Sequence, residues 1–266
     1  MASDDAFKVS SLKGKVALIT GASSGIGAGT SVLFARLGAL LALSGRDLDN
    51  LKEVAKRCTD GGAAAEPLLV PGDLTDEDTV RKTVAQTVAH FGRLDVLVNS
   101  AGILAMGSIE TTDLAQYDLI MNVNVRTVYH LTQLCVPHLI RTKGSIVNVS
   151  SVNGQRAFPG VLAYCMSKSA IDQFTCCTAL ELAPKQVRVN SVCPGVIVTE
   201  VHKRAGLDED QYAQFLEKCK QTHALGRPGQ VDEVAQSIAF LASDAASFIT
   251  GVNLPVDGGR HAMCPR

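Results

Sequence analysis

The 266-residue sequence lacks an excess of charge of either sign. Its 25 basic and 26 acidic residues give a formal net charge of −1 and a pI near 6.6. Proteins that bind nucleic acid or anionic membranes usually present a strongly basic surface. The composition therefore predicts neither kind of partner.

The sequence also lacks membrane and targeting signals. No run approaches the roughly 18 apolar residues of a membrane-spanning helix. The opening Met-Ala-Ser-Asp-Asp is acidic and has no apolar core, unlike a secretory signal or an arginine-rich transit peptide. The closing Ala-Met-Cys-Pro-Arg matches no retention, peroxisomal or prenylation signal. These features predict a cytoplasmic protein with no membrane partner.

Paired cysteines and metal-binding motifs are missing as well. The eight cysteines are scattered through apolar segments with no Cys-x-x-Cys pair, which predicts buried thiols rather than disulfides or zinc ligands. The chain has no His-Glu-x-x-His motif and no phosphate loop of the NTPase type, so no metal site is predicted. Asn148-Val-Ser150 is a glycosylation sequon, but it lies within a predicted core strand and should carry no glycan.

What the sequence does contain is a regular alternation of short apolar runs and longer helical patterns. The predicted strands are residues 15–20, 39–44, 66–71, 94–98, 144–150, 187–192 and 253–256. The predicted helices are residues 26–37, 48–58, 76–91, 117–139, about 164–182 and 231–241. The hydrophobic set makes up 46% of the chain, enough for a large core.

This alternation predicts one α/β domain over residues 1–266. We expect a Rossmann-type, doubly wound parallel sheet of about seven strands with helices on both faces. Its ligand crevice would lie at the carboxyl ends of the strands. The mixed, polar segment 199–227 is too long for a simple connection and is predicted to form a lid.

A glycine-rich turn, Thr20-Gly-Ala-Ser-Ser-Gly-Ile-Gly27, joins the first predicted strand to the first helix. Gly21 permits a tight turn, while Gly25 and Gly27 allow the backbone and helix to approach closely. The free N–H groups of a helix N-terminus favour an anion such as a pyrophosphate. The spacing Gly-x-x-x-Gly-x-Gly differs from the commoner dinucleotide fingerprint, Gly-x-Gly-x-x-Gly.

The same turn satisfies Gly-x-Ser-x-Gly, the nucleophile elbow of α/β-hydrolases, with Ser23 as the nucleophile. That reading needs sheet strands before the turn, yet only a short tail precedes Lys15. The histidines that could complete a triad, His202, His223 and His261, have no motif around them. A serine hydrolase is therefore an alternative with little support.

Tyr164 and Lys168 stand four residues apart in a predicted helix and so share one face. An ammonium beside a phenol favours the phenolate and lowers the phenol pKa. The pair is predicted to act as a general acid/base near neutral pH.

With these motifs together, the chain resembles the short-chain dehydrogenase/reductase family over nearly all of Leu12 to Arg260. The resemblance also rests on Asn99-Ser-Ala-Gly102, on Ser151 thirteen residues before the tyrosine, and on Pro194-Gly195. The ending Leu254-Pro-Val-Asp-Gly-Gly259 is of the family's type too. One departure is Ser100 within the first of these motifs, where the family more often has a second asparagine.

The resemblance implies the site roles. Tyr164 would exchange a proton with a carbonyl or alcohol oxygen, and Lys168 would lower its pKa and bind the nicotinamide ribose. Ser151 would hold the substrate oxygen, with its neighbour Ser150 as a rival. Asn124 would position a water for proton relay, ahead of Asn122. The resemblance also implies a homotetramer.

The end of the second predicted strand bears on the cofactor. Enzymes that use NAD place an acidic residue there to bind the ribose hydroxyls. Here Gly45 takes that position and Arg46, which can pair with a 2′-phosphate, follows it. NADP(H) is therefore predicted, with NAD(H) as the alternative because Asp47 comes next. The predicted cofactor-binding residues are Gly21, Ser23, Ser24, Gly25, Ile26, Gly27, Ser44, Arg46, Asp73, Leu74, Asn99, Ala101, Gly102, Tyr164, Lys168, Pro194, Gly195, Val196, Val198 and Thr199.

The candidate substrate-pocket residues are mostly apolar, which predicts a small neutral carbonyl or secondary alcohol as substrate. An oxidoreductase is thus the leading hypothesis. A catalytically silent, dinucleotide-sensing protein is the alternative from another class. The candidate pocket residues are Val152, Asn153, Gln155, Phe158, Val196, His202, Tyr212 and Phe215.

Overall fold

The computed structural model of the protein describes residues 11–264. The expectation about export and transit signals concerns residues 1–10 and lies outside this range, as does part of the C-terminal motif, Pro265 and Arg266. Within the range, no helix combines the length and the apolar character that a bilayer crossing requires.

The core of the fold is one parallel sheet of seven strands. Its order is β3-β2-β1-β4-β5-β6-β7, and every neighbouring pair is parallel. This confirms the predicted architecture. The strands are β1 (Val16–Thr20), β2 (Leu40–Gly45), β3 (Leu68–Pro71), β4 (Val96–Asn99), β5 (Ser145–Val149), β6 (Arg188–Pro194) and β7 (Asn253–Val256).

Ten α-helices occur within residues 11–264. They are α1 (Gly25–Arg36), α2 (Leu48–Asp60), α3 (Glu77–Phe91), α4 (Leu114–Met121), α5 (Thr127–Thr142), α6 (Val152–Gln155), α7 (Leu162–Leu182), α8 (Val201–Arg204), α9 (Glu209–Thr222) and α10 (Val231–Ala242).

The strands are buried on both faces because helices cover the sheet on each side. Ala17 and Ile19 of β1 pack with α1, α2 and α10, whereas Val16 and Leu18 pack with α3, α5 and α7. Successive side chains of a strand point to opposite faces, so a strand between two helical layers must be apolar throughout. This explains the continuous apolar runs in the sequence.

The strand order reverses between β1 and β4, which opens a crevice at their carboxyl ends. Thr20, the last residue of β1, connects the end of β1 to the loop after β4, on the other side of this crevice. Its Oγ1 accepts hydrogen bonds from the backbone N–H groups of Ser100 (3.0 Å) and Ala101 (3.1 Å). The loops after these strands are thereby held at one place.

The segment 199–227 is more ordered than its mixed composition suggested. It contains the short helix α8 and the fourteen-residue helix α9. A capping box starts α9, in which Asp208 and Gln211 satisfy each other's backbone N–H groups. Only Tyr212 and Cys219 of α9 are buried, so the apolar stripe is too narrow to reveal the helix in the sequence.

The long helix predicted over 117–139 starts earlier, at Leu114, and ends later, at Thr142. Between α4 and α5 its backbone widens into a π-helix, Asn122–Arg126. Such a widened turn inserts one residue into the helical repeat and is often found at functional sites.

The sequon agrees with the sequence prediction, and the cysteines agree with it in part. All eight cysteines are free thiols, but four are buried, Cys165 and Cys176 are half-buried, and Cys177 and Cys264 are exposed. Asn148 has no exposed surface, and its side-chain amide bonds with Asn99 and Thr175. A glycosyl group cannot reach a side chain in that position.

Candidate active site

A cavity of about 530 Å³ opens at the carboxyl ends of the strands. Its walls come from the glycine-rich turn, from the loops after β2 to β6, from the start of α7 and from the α8–α9 segment. This is where ligands bind in doubly wound sheets.

The glycines of the first turn are required by its geometry. Gly21 has φ +63°, and a Cβ atom there would lie 2.9 Å from the backbone of Ala101. A Cβ at Gly27 would lie 2.3 Å from the carbonyl oxygen of Gly21. A side chain at Gly21 would push the turn away from the loop after β4, and one at Gly27 would push α1 away from the turn.

Replacing Gly27 with alanine is expected to lower the free energy of unfolding by about 1–3 kcal/mol, because the new methyl group meets rigid backbone. Urea denaturation measures the loss. Gly229→Ala is the matched control: its Cβ meets the flexible end of the Ile197 side chain at 2.6 Å, so the smaller loss is expected there. Equal losses in the two variants would contradict the proposed backbone clash.

The N-terminus of α1 is left without a side-chain cap. The N-cap side chains Asp47, Asp76 and Asp113 each accept a hydrogen bond from their own helix, whereas the N-cap of α1, Ser24, makes none. Gly25 and its neighbours in the first turn of α1 line the cavity. Uncapped N–H groups and the helix dipole therefore face a space that fits the pyrophosphate of a dinucleotide.

Ser151 and Tyr164 face each other across the cavity wall. Ser151 ends the β5 loop, and its Oγ accepts a hydrogen bond from the N–H of Asn153 (3.2 Å). Burial raises the pKa of Tyr164 to about 12, and the Ser151 hydroxyl partly offsets that rise. The hydroxyl of Ser150 instead donates to the carbonyl of Lys168 (3.2 Å), which favours Ser151 as the group facing a substrate.

Lys168 is buried beneath the tyrosine ring. Its Nζ lies 5.6 Å from the centroid of the Tyr164 ring and donates to the carbonyl oxygen of Val149 (2.9 Å). Burial lowers the pKa of Lys168 to about 8, while the nearby carboxyl group of Asp172 opposes the shift. The ammonium is thus held in one place by a strand carbonyl.

The direction of the tyrosine pKa shift corrects the sequence prediction. The spacing of Tyr164 and Lys168 suggested a lowered pKa, but burial dominates and the pKa rises. A buried phenol without a charged partner in direct contact favours its neutral form. At neutral pH the residue is therefore a proton donor.

Asn124 lies in the π-helix, behind the lysine. Its side chain accepts from the N–H of Ile103 (2.8 Å) and donates both to the carbonyl of Ile103 (2.9 Å) and to Ser167 Oγ (3.0 Å). A Cβ added at Gly102 would meet both Asn124 Oδ1 (3.3 Å) and Lys168 Nζ (3.5 Å). The asparagine and the lysine therefore converge on the same small space.

Most residues predicted to bind cofactor line the cavity, but three do not. Ser44 is fully buried, Asn99 is nearly so and bonds with Thr132 and Asn148, and Val198 stands behind the wall with its N–H bonded to Gly229. Their side chains are parts of the scaffold rather than of the cavity surface. The predicted cofactor residues that do line it are Gly21, Ser23, Ser24, Gly25, Ile26, Gly27, Arg46, Asp73, Leu74, Ala101, Gly102, Tyr164, Lys168, Pro194, Gly195, Val196 and Thr199.

Two of the predicted substrate-pocket residues are also scaffold residues. Gln155 bonds with Cys193 and the carbonyl of Asn253, and Tyr212 bonds through its hydroxyl to the backbone of Thr199. The other six candidates line the cavity, as do several residues that the sequence reasoning missed. These are Ile103, Leu104, Met106, Val123, Thr127, Pro159, Val161, Arg204, Leu207, Gln211 and Arg260.

Arg204 could not be found from the sequence because it is 180 residues from its contact. Its Nη1 donates to Ser24 Oγ (3.1 Å), so the end of α8 meets the glycine-rich turn. The hydrogen bond brings a positive charge beside the uncapped helix N-terminus.

Similarity to known proteins agrees with this geometry. Residues 21–261 match the family model described as enoyl-(acyl carrier protein) reductase. The chain is 40% identical to the 3-oxoacyl-(acyl-carrier-protein) reductase FabG of Thermotoga maritima over 93% of this chain and 98% of that protein. It is 37% identical to the meso-2,3-butanediol dehydrogenase of Serratia marcescens over 93% and 95%.

A solved short-chain dehydrogenase/reductase from Caenorhabditis elegans, determined with cofactor, superposes with a TM-score of 0.89 at 34% identity, covering 95% of this chain and 97% of that one. The chain belongs to the short-chain dehydrogenase/reductase family. Short-chain dehydrogenases/reductases are oxidoreductases that act on carbonyl or alcohol groups with a nicotinamide dinucleotide. Levodione reductase, another structure of similar shape, has a TM-score of 0.91 at 30% identity over 95% and 99% of the two chains.

Proposed function

We propose that this short-chain dehydrogenase/reductase is an NADP(H)-dependent oxidoreductase with Tyr164 as its general acid/base. The observation that carries the proposal is the meeting of Ser151, Tyr164 and Lys168 in one cavity with an uncapped helix N-terminus. A dinucleotide on the glycine-rich turn would extend toward Tyr164. When bound, such a cofactor supplies hydride chemistry at a carbonyl carbon.

The residues of this chain supply the proton and hold the substrate oxygen in position. The neutral hydroxyl of Tyr164 donates its proton to a carbonyl oxygen as negative charge develops there. The Ser151 hydroxyl donates a hydrogen bond to the same oxygen and stabilises that charge. Lys168, held by the carbonyl of Val149, supplies a fixed positive charge beside the resulting phenolate. Asn124 lies next to the ammonium, where it can hold a water that returns the proton.

The pKa values predict opposite pH dependence for the two reaction directions. Alcohol oxidation needs the phenolate form of Tyr164, which is the minor form below its pKa of about 12. Between pH 5 and 7, where Lys168 with its pKa of about 8 is mostly charged, kcat/KM for alcohol oxidation is expected to rise about tenfold per pH unit. Carbonyl reduction uses the neutral phenol and should change little. Initial rates in both directions measure this, and pH-independent oxidation would contradict it.

Steric limits at the end of β2 support NADP(H) over NAD(H). A Cβ at Gly45 would lie 3.1 Å from Ser23 Oγ and 3.2 Å from its Cβ, so an acidic residue there would require the Ser23 side chain to shift by a few tenths of an ångström. Asp47 is engaged as the N-cap of α2, accepting from the N–H of Asn50 (2.9 Å). Arg46 is exposed and lines the cavity. Arg46 is therefore available for a 2′-phosphate, while the acidic side chain that lines this end of the cavity, Asp73, accepts hydrogen bonds from Thr75.

The alternatives predict different measurements. A dinucleotide sensor would bind NADPH without turning over any carbonyl, although it would have no need of a proton donor at Tyr164 or of a proton relay at Asn124. A serine hydrolase would need a base beside Ser23, and no hydrogen bond joins Ser23 to a histidine within the described residues. The deciding experiment is NADPH oxidation against a panel of ketones, quinones and acyl substrates. Turnover supports the oxidoreductase, whereas binding without turnover supports the sensor.

The remaining expectations about the whole protein stay proposals. We infer a single catalytic domain, a cytoplasmic location and a homotetramer. Support for the homotetramer comes from large apolar side chains exposed on α4, α5 and α7, namely Leu119, Tyr129, Met166 and Leu180. The α8–α9 segment is proposed to act as the lid of the site, because His202, Leu207 and Phe215 line the cavity from it.

A further inference from the structure

An arginine lines the substrate side of the cavity. Arg260 follows β7 and the two glycines Gly258 and Gly259, whose φ angles of +59° and +80° turn the chain back toward the site. Its guanidinium carbon lies 4.6 Å from the centroid of the Phe158 ring, close to the loop that leads into α7. One cationic side chain thus stands in a wall that is otherwise largely apolar.

The guanidinium of Arg260 is only partly satisfied. Its Nε is buried and has no hydrogen-bond partner within residues 11–264. The nearest acid along the chain, Asp257, is engaged elsewhere: it accepts from the N–H groups of Gly259 (3.0 Å) and His261 (2.6 Å). By contrast, Arg227 pairs with Glu233 at 2.7 Å. A buried N–H donor without an acceptor is unfavourable, so this arrangement favours a ligand that supplies oxygen atoms to the guanidinium.

A second residue of the cavity wall also carries an unpartnered polar atom. His202 Nδ1 is buried without a partner in the described part of the chain, and its ring packs on Phe215 at 4.6 Å between centroids. Burial and the positive charge of Arg260 lower the pKa of His202, so the ring is neutral at pH 7 and can donate one hydrogen bond. Arg260 remains the charged group of the pair.

The other charged side chains near this wall are already engaged. Glu200 lies 3.7 Å from the ammonium of Lys203, and Arg204 is bonded to Ser24. The apolar wall, which includes Leu104, Val152 and Phe158, suits a hydrocarbon segment. The cavity therefore offers a proton donor at Tyr164, an apolar middle and an unpaired cation at Arg260.

We propose that Arg260 binds a carboxylate of the substrate, so that the enzyme acts on oxo acids or hydroxy acids in preference to neutral carbonyl compounds. A guanidinium is a planar fork that matches the two oxygens of a carboxylate. The inference rests on the proposed oxidoreductase function and names its substrate class. It replaces the expectation of a neutral substrate, which considered only the apolar side chains of the pocket.

The test compares oxo acids with their methyl esters in the full-length enzyme. A series with two to six carbons between the ketone and the carboxylate is assayed with NADPH. We expect kcat/KM for at least one acid to exceed that of its ester by tenfold or more. Arg260→Met should abolish this preference by raising KM for the acid, with the ester changed less than twofold. Arg260→Lys should keep part of it, and Arg141→Met, at an exposed arginine on α5, should keep all of it.

The outcomes separate the two proposals. Equal turnover of acids and esters by the unmodified enzyme overturns the carboxylate site and leaves the oxidoreductase proposal intact, and this comparison needs no variant to fold. An equal loss for acid and ester in a folded Arg260→Met enzyme also overturns it. Absence of turnover with every compound overturns the oxidoreductase proposal and the carboxylate site with it.

Discussion

Tyr164→Phe is expected to reduce turnover by about 10²–10⁴-fold, the usual contribution of a general acid. The substitution removes only the hydroxyl and leaves the ring that packs beside Lys168. Because the cofactor contacts proposed above come mainly from the glycine-rich turn, the Kd for NADPH should change little. Steady-state kinetics and fluorescence titration with NADPH measure the two quantities.

The control for this variant is Tyr117→Phe, a substitution on α4 outside the cavity lining. It loses the same hydroxyl group and should keep the activity of the unmodified enzyme. If Tyr164→Phe retained more than a tenth of the activity, another group would have to supply the proton. Loss of NADPH binding together with activity would point to a structural role for the hydroxyl.

Arg46→Ala is expected to reduce kcat/KM with NADPH by about 10–100-fold and with NADH by less than threefold. A hydrogen bond to a charged group contributes about 1.5–3 kcal/mol, and each 1.4 kcal/mol corresponds to a factor of ten. The 2′-phosphate is the only part of the cofactor that distinguishes the two, so the loss should be selective. The measurement is cofactor titration at a saturating concentration of one substrate.

Arg57→Ala provides the matched control, since Arg57 is an exposed arginine on α2 that does not line the cavity. It should leave both cofactors unaffected. A similar loss with NADPH and NADH in Arg46→Ala would mean that the arginine contacts the adenine or stabilises the fold. The preference for NADP(H) over NAD(H) would then have no support from Arg46.

The order of strands and helices could be predicted because it depends on local patterns. β1 is apolar throughout since both its faces are covered, and the glycines of the first turn mark a place with no room for side chains. The Tyr164 and Lys168 pair was also accessible, because its spacing is fixed by the helix that carries it. In these cases the spacing of the residues in the sequence itself determines the local geometry.

Residues whose role depends on distant packing could not be assigned. Ser44 stands two residues before Arg46 in the sequence, but it lies inside β2, where helices cover both faces of the sheet and bury its side chain, whereas Arg46 follows the strand and is exposed. Arg204 and Arg260 reach the cavity from α8 and from the C-terminal turn, where no spacing rule connects them to the site. The pKa of Tyr164 likewise depends on burial, which the spacing to Lys168 does not report.

The π-helix at Asn122–Arg126 has a consequence for how this chain tolerates change in length. The extra residue of the π-helix rotates the chain by about 100° about the helix axis. The buried faces of α4 and α5 are therefore rotated relative to each other in a way that one uninterrupted α-helix would not allow. Deleting one residue there would restore regular winding and rotate α4 against α7, carrying Asn124 away from Ser167. The loop at 205–208 joins α8 to α9 without continuing either helix, so it has no such phase to keep. Sequence length is therefore constrained at the centre of this helix more tightly than at the mouth of the site.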